Sequence, residues 1–355
     1  MMVTEFGSSF ELIDSIGDGT CLVDSNSTVY LRTAREAIFY ICQSNKLKTV
    51  LMPALCCASM VQPFIQSKIE VRYYKIKSDL TIDYLDLEKK LKDDSFIFVM
   101  HYYGIKSFNS DVLQDILLSH NNVQIIQDCT QHVFTNHLYN DIADYWIGSI
   151  RKWVPIADGA FLASKKHKLE NNLQIDYCDD GFVETTIEAM RLKKQYLSDG
   201  DKNKKQLYRE KFGSCMSHLK ENIVLHSMSD ISRELFHNTV DCNEIRNRRT
   251  DNYNALYEQL KYDVPEILQY SLEHVGPLCF NIVVSNRNEV QQKLALKGIY
   301  CQVLWPLIKE AKETCKFSDW YTEHMLAVPC DQRYGIKDML KISNELRKVI
   351  KGEKL

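Results

Sequence analysis

From about residue 49 to residue 164 the chain alternates short apolar runs with stretches of helical period. The runs fall at residues 49–52, 70–76, 96–101, 124–128, 145–149 and 160–164. Each is short enough for a strand, and strands that alternate with helices predict a mostly parallel sheet covered on both faces. Ligands of such sheets sit in the crevice outside the carboxyl ends of the strands. By that rule Pro53, His101, Asp128 and the segment around Lys152 converge.

Between about residues 165 and 238 the pattern is helical and polar. Lys193-Lys194 and the lysines of 202–205 read as solvated faces, and Ser198-Asp199-Gly200-Asp201 reads as a loop. A second unit starts near Asp241 with a long helix past Tyr253 to Leu260. A strand (278–284), a helix (288–297) stopped by Gly298, a strand (300–304) and a last helix (336–350) follow. The expected fold is therefore α/β, with a large domain over 1–240, its mostly parallel sheet sandwiched by helices, and a small C-terminal α/β domain over 241–355. There is no internal repeat and no low-complexity tract.

Composition narrows the function more than the fold. At 355 residues, 45% apolar, 26% charged and with a formal charge of -3, the chain is an ordinary globular sequence. No basic excess suits a polyanion, so nucleic acid is not an expected partner. The first residues lack the basic and apolar segments of a signal peptide, and no run approaches the roughly 18 apolar residues of a membrane span. A cytoplasmic protein without membrane contact is expected. The twelve cysteines include no Cys-x-x-Cys pair and no zinc spacing with histidine. Buried reduced thiols explain them better than disulfides or a metal site.

Chemistry concentrates at the predicted strand ends. Asp128 closes Val123-Gln124-Ile125-Ile126-Gln127-Asp128, and a carboxylate there needs a cation or hydrogen-bond donors. Twenty-four positions on, Lys152 follows another apolar run and leads through Asp158-Gly159-Ala160 into the next. Pyridoxal phosphate (PLP) needs such a pair, because its pyridine nitrogen pairs with an anion and its aldehyde with an amine. Partial burial and Arg151 would lower the lysine pKa toward a nucleophilic amine. Gln131, one turn past Asp128, could donate to the ring oxygen. Thr33-Ala34-Arg35-Glu36 has the Thr-x-x-Glu spacing of a capping box, and a helix start ahead of the sheet suits a phosphate. His101 ends a strong strand, where a flat ring is more often a hydrogen-bonded structural residue but could stack on a cofactor.

Read together, Thr33-Ala34-Arg35, residues 53–59, His101-x-x-Gly104, Asp128-x-x-Gln131, Ser149-x-x-Lys152 with Asp158-Gly159, and Gly298-Ile299 before Trp305 resemble the DegT/DnrJ/StrS family of fold-type I, PLP-dependent sugar aminotransferases. Residues 326–334 look like that family's C-terminal segment. The resemblance implies that Lys152 bonds the cofactor aldehyde, that Asp128 meets the pyridine and Gln131 the ring oxygen, and that Ala34, Arg35 and Ser149 contact the phosphate. Thr33, Cys57 and His101 complete the expected cofactor set. It also implies a homodimer, with glutamate as amino donor and a keto sugar, usually nucleotide-linked, as acceptor, in surface-polysaccharide or antibiotic-sugar biosynthesis. Family members commonly place an aromatic ring where Cys57 stands, a glutamate where Gln127 stands, and the phosphate serine further ahead of the lysine than Ser149. The Asn-Tyr-Arg segment that reaches a partner's site is missing. Alternatives are another PLP reaction with a non-sugar substrate, or a non-catalytic relative.

Overall fold

The computed structural model describes residues 3–13, 27–135, 138–169, 174–239, 241–263, 266–267 and 276–352. After the short β1 (Phe6–Gly7) come β2 (Ser27–Leu31), β3 (Thr49–Pro53), β4 (Glu70–Tyr74), β5 (Ser95–Met100), β6 (Val123–Asp128), β7 (Tyr145–Ser149) and β8 (Ala160–Ser164). The last seven form one sheet in the order β2-β8-β7-β6-β5-β3-β4. From β4 to β7 every pairing is parallel, while β8 runs antiparallel to β7 and β2 antiparallel to β8. The central strands are buried on both faces, which is why β5 reads Ser-Phe-Ile-Phe-Val-Met with no alternation. The expected strand positions hold. β2, half-buried along most of its length, escapes the apolar signal.

Helices α1 (Ala34–Ser44), α2 (Ala58–Gln66), α3 (Tyr84–Lys90) and α4 (Ser110–Leu117) connect these strands. They fill the first core with side chains such as Ile41, Phe64, Leu87 and Leu113. Next, α5 (Asp180–Asp199) and α6 (Lys202–His218) form a helical hairpin that turns at Gly200, whose φ of 76° ends α5 in the left-handed region open to glycine. After α7 (Asp230–Thr239), the long α8 (Cys242–Leu260) leads to β9 (Glu266–Ile267), β10 (Phe280–Val283), α9 (Arg287–Leu296), β11 (Ile299–Tyr300), α10 (Lys309–Thr314), α11 (Lys316–His324), β12 (Met325–Val328) and α12 (Ile336–Lys351). β12, β10 and β9 make an antiparallel sheet. α8 and α12 pack with it into a second core built on Leu256, Phe280, Leu326 and Ile342.

Three expectations change. The strand expected over 300–304 shrinks to Ile299–Tyr300, because its partner is the N-terminal β1, a parallel pairing across the chain that no local pattern announces. That pairing places Phe6 in the second core. The lysines expected on solvated faces are not all solvated. Lys193 is 1% exposed and donates to Ser8 Oγ at 3.0 Å. Lys205 reaches Glu5 Oε1 at 2.5 Å, beside the hydroxyls of Tyr196, Tyr208 and Tyr300. Both tie the N-terminal arm to the hairpin, a demand for cations set by tertiary contact and not by helix amphipathicity. Among the described residues ten cysteines are free as expected, but Cys242 is disulfide-bonded, which no spacing in the sequence marks. Among the described residues no helix is long and apolar enough to cross a membrane.

Candidate active site

The carboxyl ends of β6 and β7 and the starts of α1 and α2 enclose a cavity of about 50 Å³. Lys152 lies there, at the end of the single tight turn Ile150–Lys152 that follows β7. Its side chain is exposed to solvent through the cavity, although protein surrounds the cavity on most sides. Enclosure by protein lowers the amine pKa, with Asp128 among the groups opposing the shift and Arg151 and Arg35 reinforcing it. Among the described residues nothing accepts a hydrogen bond from this amine, so it is free to reach a group in the cavity.

Asp128 enters the same cavity as the last residue of β6, paired across the sheet with Met100 and Ile147. Its Oδ1 accepts from the amide of Thr130 at 2.8 Å. Burial raises its pKa, and Thr130 and Lys152 hold the shift back. A buried carboxylate held by Thr130 alone, through its amide and its hydroxyl, has no close cation among the described residues, and a cationic ring nitrogen would complete it.

At the other end lies a site for an anion. Ala34 opens α1, with free amides and the positive dipole end. Glu36 Oε2 accepts from the amide of Thr33 at 3.2 Å, the reciprocal half of the expected capping box, while Thr33 Oγ1 is buried with no partner. Arg35 Nε and Arg151 Nε are also buried and unpartnered, and both residues line the cavity. Burial and Arg35 push the Arg151 guanidinium down to about 10, which leaves it charged at neutral pH. Two neighbouring arginines with unmade hydrogen bonds beside a helix start fit a phosphate. Gln131 takes the amide of Tyr103 on its Oε1 and aims an unpartnered Nε2 into the cavity. These orphaned donors fit the phosphate and ring oxygen of PLP, as Asp128 and Lys152 fit its nitrogen and aldehyde. Among the described residues no cluster of histidine, cysteine or acidic side chains could hold a metal.

Arg151→Met is expected to weaken PLP binding by roughly ten- to a hundredfold, the worth of one charged hydrogen bond set. Fluorescence titration of the apoprotein checks this, and an unchanged affinity removes Arg151 from the phosphate seat.

Of the residues expected from sequence, Thr33, Ala34, Arg35, Cys57, Asp128, Gln131, Ser149 and Lys152 all line this cavity. His101 does not. Its ring stacks on Phe108 at 4.2 Å and 3°, and its Nδ1 accepts from the amide of Ser107 at 3.0 Å, so it serves the loop after β5. Pro53 is likewise absent from the lining, and Ser59 and Cys57 take the end of that strand. Asp158 receives Ser229 through its hydroxyl at 2.6 Å and its amide at 2.9 Å and is structural. Thr130, Arg151 and Trp305 were not expected as lining residues. Thr130 follows directly from Asp128. Trp305 is brought in from the second half of the chain, which only tertiary structure shows.

A larger cavity of about 320 Å³ adjoins the first and shares Thr130, Gln131, Arg151, Lys152 and Trp305 with it. The inner faces of α5 and α6, the arm at Gly7 to Phe10, and Arg249, Asp331 and Arg333 form its walls.

No protein-family model matches the chain, and no curated protein matches it by sequence. Solved structures match it in fold. Spr1654 of Streptococcus pneumoniae, in its PLP form, aligns with a TM-score of 0.67 at 16% identity over 97% of this chain and 94% of its own. A DegT DnrJ EryC1 StrS aminotransferase of Brucella abortus gives 0.64 at 13% identity, over 92% and 86%. Helicobacter pylori PseC, an aminotransferase involved in pseudoaminic acid biosynthesis, gives 0.63 at 13% identity, over 98% and 100%. The architecture is thus the one found in these aminotransferases, over essentially the whole chain.

Proposed function

We propose that this chain is a PLP-dependent aminotransferase that takes an amino group from an amino acid, with glutamate as donor, and delivers it to a keto sugar. The observation that carries the reading is one cavity at which the unpartnered buried donors Gln131 Nε2, Arg35 Nε and Arg151 Nε meet the carboxylate of Asp128 and the amine of Lys152. The buried donors are costly to leave unpaired, and one molecule would satisfy them together with Asp128 and Lys152. The shared fold with known aminotransferases agrees. So does the order of the sequence motifs.

When bound, PLP supplies an electrophilic aldehyde and a ring that accepts electron density. Arg35, Arg151, Ser149 and the first amides of α1 hold its phosphate. Asp128 keeps a proton on its ring nitrogen, and Gln131 donates to its ring oxygen. Lys152, with its lowered pKa, takes the proton from the donor's α-carbon and returns it during the exchange. Residues 1–240 supply the cofactor seat in this reading, and residues 241–355 close the adjoining cavity through Arg249, Trp305 and Asp331. The expected homodimer and cytoplasmic location belong to the same proposal.

Borohydride reduction of the PLP-loaded protein followed by peptide mapping is expected to place the adduct on Lys152. L-Glutamate is expected to convert the bound cofactor to its amine form with one equivalent of 2-oxoglutarate released. An adduct on another lysine, or no conversion by any amino acid, refutes the assignment.

A further inference from the structure

We infer that Trp153 is a positioning residue for the amine of Lys152, its indole fixing the turn that carries the lysine against the end of β6, where Asp128 stands. This rests on the aminotransferase reading and assigns a residue which that reading leaves without a role.

Lys152 needs such a hold. Its side chain is a flexible four-carbon stem whose amine gives no hydrogen bond to any described residue, so the backbone alone sets where the amine starts. That backbone is the single tight turn Ile150–Lys152, closed by the amide of Trp153 donating to the carbonyl of Ile150 at 2.8 Å. One turn of this kind has poor hydrogen-bond geometry and holds weakly by itself. Its anchor is the residue that follows it.

Trp153, 1% exposed, is gripped from several sides. Its Nε1 donates to the carbonyl of Thr130 at 2.7 Å. The Arg249 guanidinium lies over the ring at 4.2 Å, and Phe134 meets the ring edge-on at 5.5 Å. Arg249 is itself fixed, donating to Gln332 Oε1 at 2.8 Å and to the carbonyls of Pro277 and Leu278 at 3.2 and 3.0 Å. Gln332 Nε2 then donates to the carbonyl of Trp153 at 2.5 Å, so the second half of the chain clamps both the ring and the backbone of this residue.

A buried tryptophan ordinarily finds a partner for its N–H, and a clamp alone would be packing. The identity of the partner makes it more. The amide of Thr130 donates to Asp128 Oδ1 at 2.8 Å, its hydroxyl bonds the same carboxylate, and that hydroxyl accepts from the amide of Ser149 at 3.1 Å. One residue thus joins the end of β6, the end of β7 and, through the indole, the lysine turn. Asp128, Ser149 and Lys152 are the groups assigned to the ring nitrogen, the phosphate and the aldehyde. Their spacing is set where Thr130 and Trp153 meet.

Trp153→Phe keeps a ring beside Arg249 and removes the N–H with part of the bulk. In the PLP-loaded protein the rate constant for conversion by L-glutamate is expected to fall roughly ten- to a hundredfold, the cost of a small misplacement, with half-saturating glutamate changed less than about twofold. The visible circular dichroism per bound PLP is expected to change. The pH midpoint of the bound cofactor's absorbance is expected to move by about half a unit or more, because the amine shifts against Asp128, Cys57, Arg151 and Arg35. An unchanged dichroism and midpoint, or an unchanged rate, overturns the inference whatever happens to stability, since a residue that only fills the core lowers the folded fraction and leaves the remaining sites as they were. Should Trp153→Phe fail to fold, Gln332→Met decides in its place. That half-buried side chain releases the Trp153 carbonyl without opening the core, and a parent-like dichroism and midpoint overturn the inference. A parent protein that borohydride does not fix at Lys152 ends the aminotransferase reading and this inference together, and shows itself before any variant is made.

Discussion

Lys152→Ala is expected to lower turnover by about four orders of magnitude or more while the protein still folds and still binds PLP. The size of the loss follows from two roles carried by one amine. Positioned proton transfer contributes roughly 10²- to 10⁴-fold, and a covalent lysine adds to it. The fold survives because the amine has no hydrogen-bond partner among the described residues and its surroundings disfavour its charge. Alanine there removes a group that the unliganded protein accommodates poorly, so the thermal midpoint of the apoprotein is expected to be no lower than in the parent. Cofactor binding is expected to survive because the proposed phosphate seat, made of Arg35, Arg151 and the start of α1, does not include the lysine. Turnover by single-turnover absorbance, binding by fluorescence and stability by calorimetry separate these effects. A variant that keeps even a tenth of the parent rate removes Lys152 from the chemistry.

The central sheet was legible because its strands are buried on both faces, so that β5, β6 and β7 appear as apolar runs that end in polar residues. Their ends line the candidate site, which is why Asp128, Gln131, Ser149 and Lys152 were readable as a group. Long-range pairings were not legible. Nothing local to Phe6 indicates that it pairs with Ile299, and nothing in the polarity of α5 and α6 shows that Lys193 and Lys205 turn toward the N-terminal arm. His101 failed for a related reason. A strand-end histidine suits a cofactor or a loop equally well until Phe108 and Ser107, further along the same loop, are seen to occupy its ring. The larger cavity draws its walls from nine separated stretches, so its apolar character existed in no single segment.

Asp128→Asn is expected to lower turnover about a thousandfold. The side chain keeps its shape, and its oxygen can still accept from Thr130, so the change removes charge and little else. A unit charge pair about 4 Å apart interacts by about 4 kcal/mol at an effective dielectric of 20, or roughly three pK units, and that is the hold on the ring proton that the amide gives up. Stability should respond in opposite directions with and without cofactor. Burial raises the pKa of Asp128 in the fold, so the charged carboxylate destabilises the apoprotein at every pH above that raised value. The penalty fades as pH falls toward the unfolded carboxylate pKa, where both forms are neutral. The apo variant is therefore expected to melt at or above the parent at pH 7, with the difference closing under acid. With PLP bound the carboxylate gains its cation, and the parent is expected to melt higher. Calorimetry of both proteins, with and without PLP at pH 7, reads this reversal directly. A variant that melts below the parent in both states, or that turns over at the parent rate, shows that Asp128 has no cationic partner in the working enzyme.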